Sequence, residues 1–427
     1  VLARVALCAA FAAVAGQAPP PTAAPPAAAP PAAAPPAAAP PPALRDADVT
    51  AALAAALPAD ASTDVLLIDQ PSVPHAPRAR AATAVAAPPA TVKAVLLDTA
   101  HYRAIIPGLV RNETTPAAAG ATALAWELEI PLFNLSGHLL MRERPDGVEM
   151  DLTEGDLSPG HIVFTVLPRP GGSALAVDAQ LDVAHSTWLL RYIMAKSPVG
   201  QPAALVASIY VALRAVALRA ERVGQPRAWR PGAPMAPPPA WLPDARPLAS
   251  PTLAPLRARG AVGLIARTPS QRLGGVAVAM TIPASIATVA TRLHDPQSLR
   301  AFPGWREVRT RPGPHGPGAE VEDNLPLADF DATWTAEAGP LARWTATAGA
   351  TSGARLGWEV FPGASSNDTL AALVLYPRLE TTGRLGRRSI ASEPLLEGGM
   401  SAALAFADLV GIEALFAPAS APARRAP

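Results

Sequence analysis

The stretch VAAPPATVKAVLLDTAHYRAIIPGL, residues 85–109, returns as AMTIPASIATVATRLHDPQSLRAFPGW, residues 279–305. Pro89-Ala90-Thr91-Val92 lies 194 positions before Pro283-Ala284-Ser285-Ile286, and Pro107-Gly108 lies 196 before Pro303-Gly304. Ile130-Pro131-Leu132 matches Leu325-Pro326-Leu327 at 195. A repeat unit that long is a whole domain, since solenoid units run at roughly 20–50 residues. The chain therefore reads as a tandem duplication, and function is sought in what one copy can do.

Outward from the repeat, each copy has the same order of elements. In copy one a strand at 79–86 stops at Pro88-Pro89, and Pro89 suits the first turn of a helix. Helices follow at 91–97 and 100–105, with Pro107-Gly108 as the stop signal. Strands are expected at 123–130, 133–142, 147–153, 161–168 and 173–184, separated by turns such as PDG and PGG. A long helix over 202–222 closes the copy, with Val206, Ile209, Tyr210, Leu213 and Val216 on one face at helical spacing. Copy two repeats this with a helix at 284–293, strands at 320–325, 330–336, 341–348, 355–361 and 370–379, and a final helix near 395–416. Gly274-Gly275 and Gly398-Gly399 read as turns.

The flanks are different in kind. Residues 1–18 read as a secretory signal: Arg4, an apolar run at 5–14, and the small-x-small site Ala13-Val14-Ala15. Cys8, the single cysteine of the 427 residues, excludes a disulfide framework, and Leu7 before it argues against lipidation. Residues 19–43 repeat PPAAA and form an extended Pro/Ala spacer. The first domain is expected over 44–223, a Pro-rich linker carrying Trp229 and Trp241 over 224–258, the second domain over 259–417, and a disordered tail over 418–427. An exported protein, periplasmic or extracellular, is the expectation.

Composition narrows the function. With 35 Lys plus Arg against 34 Asp plus Glu, the net charge of +1 offers nothing to a nucleic acid. The seven His make no HxH, HxxxH or HExxH pattern, so no metal or other cofactor is expected. His138 and His161 fall on strands, and Asp98 beside His101 reads as a helix cap. No positioned acid, base or nucleophile stands out, which favours a binding protein over an enzyme.

The order of strand, paired short helices behind a Pro-small-x-Val phrase, antiparallel meander and long closing helix resembles the START/Bet v 1-like (SRPBCC) superfamily, in its polyketide cyclase and coenzyme Q-binding-like branch. The phrase stands here as Ala87-Pro88-Pro89-Ala90-Thr91-Val92, Asp98, Tyr102 and Ile106-Pro107-Gly108. Copy two lacks the double proline and has Leu299 near the Tyr position. The resemblance implies an α+β protein of two helix-grip domains, each a curved antiparallel sheet wrapped around its long C-terminal helix, with a cavity for an apolar ligand. It also implies a hydrophobic small molecule or lipid as partner, with transient membrane contact possible in principle. Tyr102, Ile106, Trp126, Phe133, Phe164, Val206, Tyr210 and Leu213 are the candidate lining of copy one, since aromatic residues combine apolar area with a hydrogen-bonding handle. The alternatives are a polyketide cyclase or aromatase-like enzyme, and a second copy that serves only as a protein-interaction scaffold.

Overall fold

The computed structural model describes residues 44–59, 61–70, 77–130, 133–182, 186, 191, 200–223, 244–269, 271–302, 305–325, 328–337, 342–379, 390 and 395–416. The expected signal, spacer and tail, with His185, Trp188, Trp229 and Trp241, lie outside them.

Helix α1 (Asp46–Ala55) precedes strands β1 (Thr63–Asp69) and β2 (Arg78–Val85). Helices α2 (Pro89–Leu97) and α3 (Tyr102–Ile105) follow, then the meander β3 (Leu109–Pro116), β4 (Thr122–Ile130), β5 (Phe133–Arg144), β6 (Gly147–Gly155), β7 (Gly160–Arg169) and β8 (Gly172–Leu181), and the long helix α4 (Gly200–Glu221). After the one-turn helix α5 (Ala254–Arg257), copy two repeats the order: β9 (Gly260–Arg267), β10 (Leu273–Ile282), α6 (Ile286–His294), β11 (Trp305–Arg311), β12 (Gly318–Leu325), β13 (Ala328–Ala336), β14 (Ala342–Gly349), β15 (Arg355–Pro362), β16 (Thr369–Tyr376) and the long helix α7 (Leu395–Ala414).

The copies do not keep separate sheets. All sixteen strands form one antiparallel sheet in the order β11-β12-β13-β14-β15-β16-β10-β9-β1-β2-β8-β7-β6-β5-β4-β3, joined where β1 pairs with β9 from Thr63 opposite Ala266 to Asp69 opposite Gly260. An unpaired strand edge is a template for aggregation, and here each copy's first strand covers the other's.

The central strands are buried on both faces, so they read as apolar runs rather than alternating ones. Leu66 and Ile68 of β1 face the core with α4 and α7, whereas Val65 and Leu67 face the opposite side. That opposite side is small: Ala82, Ala84, Ala174, Ala176, Ala277, Ala279 and Ala372 let its cover approach closely. The cover is α1, through Val49 and Leu53, together with the segment 244–258. This segment, expected as the end of a Pro-rich linker, buries Leu248, Leu253 and Leu256 in short turns against the sheet. Its prolines start those turns, and its leucines supply the apolar contact.

On the other face α4 lies against β2 and β8, α7 lies against β10, β16 and β9, and the two helices pack on each other. Both are long and apolar enough to cross a membrane, but 78% and 83% of their most apolar windows are buried within the fold. Gly398 and Gly399, expected as a turn, lie inside α7 at this crossing, where a Cβ on Gly398 would stand 2.6 Å from Cε1 of Tyr210. Gly274 and Gly275 lie within β10, where the ladder shifts register between Leu273 and Gly275. The repeat itself is re-registered: Pro88 and Ser285 hold the equivalent N-cap positions of α2 and α6, so the matching prolines Pro89 and Pro283 are not equivalent. Ser285 caps with its own Oγ, which accepts from Thr288 N at 3.3 Å; Pro88 has no such group.

Candidate functional site

In copy one, α2, α3, the inner face of the meander and α4 pack into an apolar cluster that runs on across the seam into copy two. Tyr102, Phe164, Val206, Tyr210 and Leu213 are buried in it, and Ile106 and Trp126 pack against it half-buried. Phe133 opens β5, and its side chain lies outside the described residues. Tyr102 donates to the carbonyl of Leu96 and lies 3.7 Å from Sδ of Met141. Burial pushes its phenol up, with the Asp98 charge adding to this, so it stays protonated. The Trp126 ring lies over Gly137, where a Cβ would stand 3.1 Å from Cζ2. Its buried indole N–H has no partner among the described residues.

Met141, Val148, Met150, Leu152 and Val166 belong to the same cluster, and the sequence reading singles out none of them. Strand alternation was their only signal. Copy two carries bulkier side chains at two of the four equivalent positions on the paired strands β14 and β15. Val148 pairs with Phe164 and Met150 with Ile162 in copy one; Ala342 pairs with Trp358 and Trp344 with Leu356 in copy two. Trp344 therefore stands where copy one has Met150, and Trp358 where it has Phe164. Trp334, Trp344 and Trp358 are buried, and Phe302 meets Trp358 with ring centroids 6.1 Å apart. Three buried indoles stand in the interior of copy two, whereas copy one has one half-buried indole, Trp126, and carries Met150 and Phe164 where copy two has Trp344 and Trp358.

A buried polar group joins the copies beneath α4. Thr83 Oγ1 donates to Asp64 Oδ1 at 2.6 Å and accepts from Arg214 Nη1 at 2.7 Å. Arg267 Nε of copy two lies 2.9 Å from Asp64 Oδ2, and Arg214 Nη2 reaches Gln271 Oε1 at 2.8 Å. Desolvation, reinforced by Asp64, pushes the Tyr210 phenol up and keeps it neutral. The sequence showed none of this, because the partners lie far apart in the chain.

The described histidines are elsewhere. His101 Nδ1 meets Asp98 Oδ1 at 2.7 Å, with both groups exposed. Asp98 does occupy the C-cap of α2, but its carboxylate engages His101 rather than the helix. His138 lies 3.5 Å from Glu154 and His161 lies 2.8 Å from Asp151, both on the outer surface. Glu149, Asp151 and His161 bring their ligand atoms within 4.8 Å of one another. Arg142 pairs with Asp151, and Arg144 lies 3.6 Å from Glu149, so those carboxylates already have cationic neighbours.

At the seam between the copies a cleft of about 580 Å³ opens among β1, β9, the start of α4 and the end of α7.

No family model and no curated protein matches the chain. Among solved structures it is similar to the STAR-related lipid transfer protein (fragment 25–204) from Xanthomonas axonopodis, at 14% identity and a TM-score of 0.26, over 36% of this chain and 93% of that one. It is similar to a START superfamily protein from Mycobacterium smegmatis, at 17% identity and a TM-score of 0.24, over 30% of this chain and 93% of that one. It is also similar to the di-domain ARO/CYC StfQ from the steffimycin biosynthetic pathway, at 11% identity and a TM-score of 0.26, over 79% of this chain and 97% of that one.

Proposed function

We propose that this protein binds or carries a lipid or another hydrophobic small molecule, held in the helix-grip interior of copy one between the sheet and α4. One observation carries the reading: at equivalent positions copy two fills its interior with Trp344 and Trp358, whereas copy one has Met150 and Phe164. Thioether chains adapt to an apolar guest more readily than close-packed indoles do. Tyr102, held protonated by burial, keeps its hydroxyl on the Leu96 carbonyl and turns only its ring to the apolar cluster. Export through residues 1–18 belongs to the same proposal, and its check is the N-terminal mass of protein recovered outside the cytoplasm.

The test grafts the filling of copy two into copy one. The double variant Met150→Trp/Phe164→Trp is expected to lose at least tenfold of any apolar ligand that co-purifies with the wild-type chain, read by native mass spectrometry. Removing the indole of copy two with Trp344→Met is expected to leave that ligand in place. Retention by the double variant, with its fold intact by circular dichroism, would sink the reading.

A cyclase or aromatase-like reaction is the second reading, favoured by the Tyr210 phenol beside Asp64 and Arg214 in the buried polar group that joins the copies. Turnover of a polyketide-like substrate that disappears in Tyr210→Phe would support it.

A further inference from the structure

The seam between the copies is built twice on its helix side and filled once. Tyr210 of α4 lies with its ring against Gly398 of α7, and on the other side of the seam Phe406 of α7 and Pro202 of α4 both border the cleft. Matching the two crossings, and β1 with β9 residue for residue, sets each position of one side against a counterpart on the other. Asp64, Arg267, Arg214 and Tyr210 occupy the first side. Ala261, Gln70, Val410 and Phe406 stand in their places on the second. The first set fills its space with two guanidinium groups, a phenol and the carboxylate they surround. The second has no charged group at these four positions, and the 580 Å³ cleft lies there.

Charges stand around this cleft. Arg259 is matched by Asp46 at 2.6 Å and Asp69 at 3.2 Å. Arg257 donates to the carbonyls of Leu248 and Ser250 and has no carboxylate partner among the described residues. Burial alone lowers its pKa, which is the mark of a cation that has lost water without gaining a counter-ion. Glu413, from the last turn of α7, has no cationic partner among the described residues, and burial pushes its carboxyl up.

We propose that the cleft is a second ligand site, separate from the copy-one interior, for an amphipathic small molecule with an anionic head of the carboxylic-acid type. The head meets Arg257, and the chain lies along Ile68, Phe406 and Val410. An anion delivered by the ligand supplies the counter-charge that the fold leaves out. The volume falls within the range of roughly 300–1,000 Å³ usual for small-molecule sites. A cationic head would meet the unmatched Arg257 at the same rim; Glu413 also borders the cleft, but burial pushes its carboxyl up, toward the neutral acid.

The experiment titrates the full chain by calorimetry with dodecanoate, dodecanol and dodecyltrimethylammonium, three probes that share a tail. Dodecanoate is expected to bind at least tenfold more tightly than the other two. Val410→Trp, which fills the cleft, is expected to abolish that binding, and Arg257→Gln to weaken it about tenfold, the scale of one lost charge-assisted contact. Because Arg257 also holds two backbone carbonyls, Glu413→Gln serves as an independent charge variant. It removes a like charge, and severalfold tighter binding is expected. Equal affinity for the three probes, or dodecanoate binding untouched in both Val410→Trp and Glu413→Gln, overturns the proposal. Loss of dodecanoate only in Met150→Trp/Phe164→Trp also overturns it, while leaving the copy-one reading standing.

Discussion

Arg80 is fully buried on β2, yet three carboxylates reach it: Asp69 Oδ2 at 2.6 Å, Asp178 Oδ2 at 2.9 Å and Asp46 Oδ1 at 3.3 Å. Arg78 shares Asp178 at 2.7 Å, and Arg259 of copy two shares Asp69, so the group ties α1, β1, β2, β8 and the start of β9 together. Burial pushes the Asp178 carboxyl up, but hydrogen bonds and charge from Arg78 and Arg80 outweigh it and hold it below the usual carboxylate range. A carboxylate with a lowered folded-state pKa adds stability that is complete above its unfolded value and disappears as pH falls through the folded one. Thermal melts are therefore expected to lose stability in acid below the ordinary carboxylate range. In Asp178→Asn the protein is expected to be weaker by roughly 1.5–3 kcal/mol at neutral pH, with a flatter acid limb. Equal acid limbs in the two proteins would refute this role. At this scale the sequence was partly legible: Phe164, Val206, Tyr210 and Leu213 are buried in the cluster that strand and helix spacing pointed to. The charged partners were not legible, because Arg78 and Asp178 lie 100 positions apart and meet only through the β2–β8 pairing.

At the scale of elements, apolar spacing located both long helices and the strands β4–β8 and β12–β16, and burial explains why. The sequence offers no strand for β9 and β10, where Gly274-Gly275 reads as a turn although both strands are buried at the centre of the sheet, and none for β3 and β11. The sequences of the last two, LVRNETTP and WREVRTR, lie at the two outer edges of the sheet, where a wet face and a missing neighbour remove apolar alternation. The glycine pair of α7 was misread for a different reason. Gly398-Gly399 looks like a turn locally, but its use is the close approach of α4, which composition does not reveal. Gly398→Ala is expected to destabilise the protein by about 1–3 kcal/mol, because the new methyl meets the Tyr210 ring and α7 must shift. Chemical denaturation checks this. A neutral or stabilising result, as helix propensity alone would give, would show that the crossing is not tight.

For the whole molecule the decisive contact is β1 on β9. It makes one sheet of two copies, brings α4 and α7 together, and creates both the buried Asp64–Arg267 pair and the open cleft. Calorimetry of the full chain is accordingly expected to show a single cooperative unfolding transition, and residues 44–223 expressed alone are expected to be markedly less stable, with β1 left as an open edge. Two independent transitions would mean that the copies fold separately. The duplication, the order of elements within each copy and the apolar faces of the long helices were legible in the chain, because they depend on spacing between near neighbours. The joining of the sheets, the filling of copy two by three indoles and the unequal sides of the seam became visible only once the chain was folded. Each depends on which distant residues stand opposite one another, and the separation between strands carries no trace of that in local sequence.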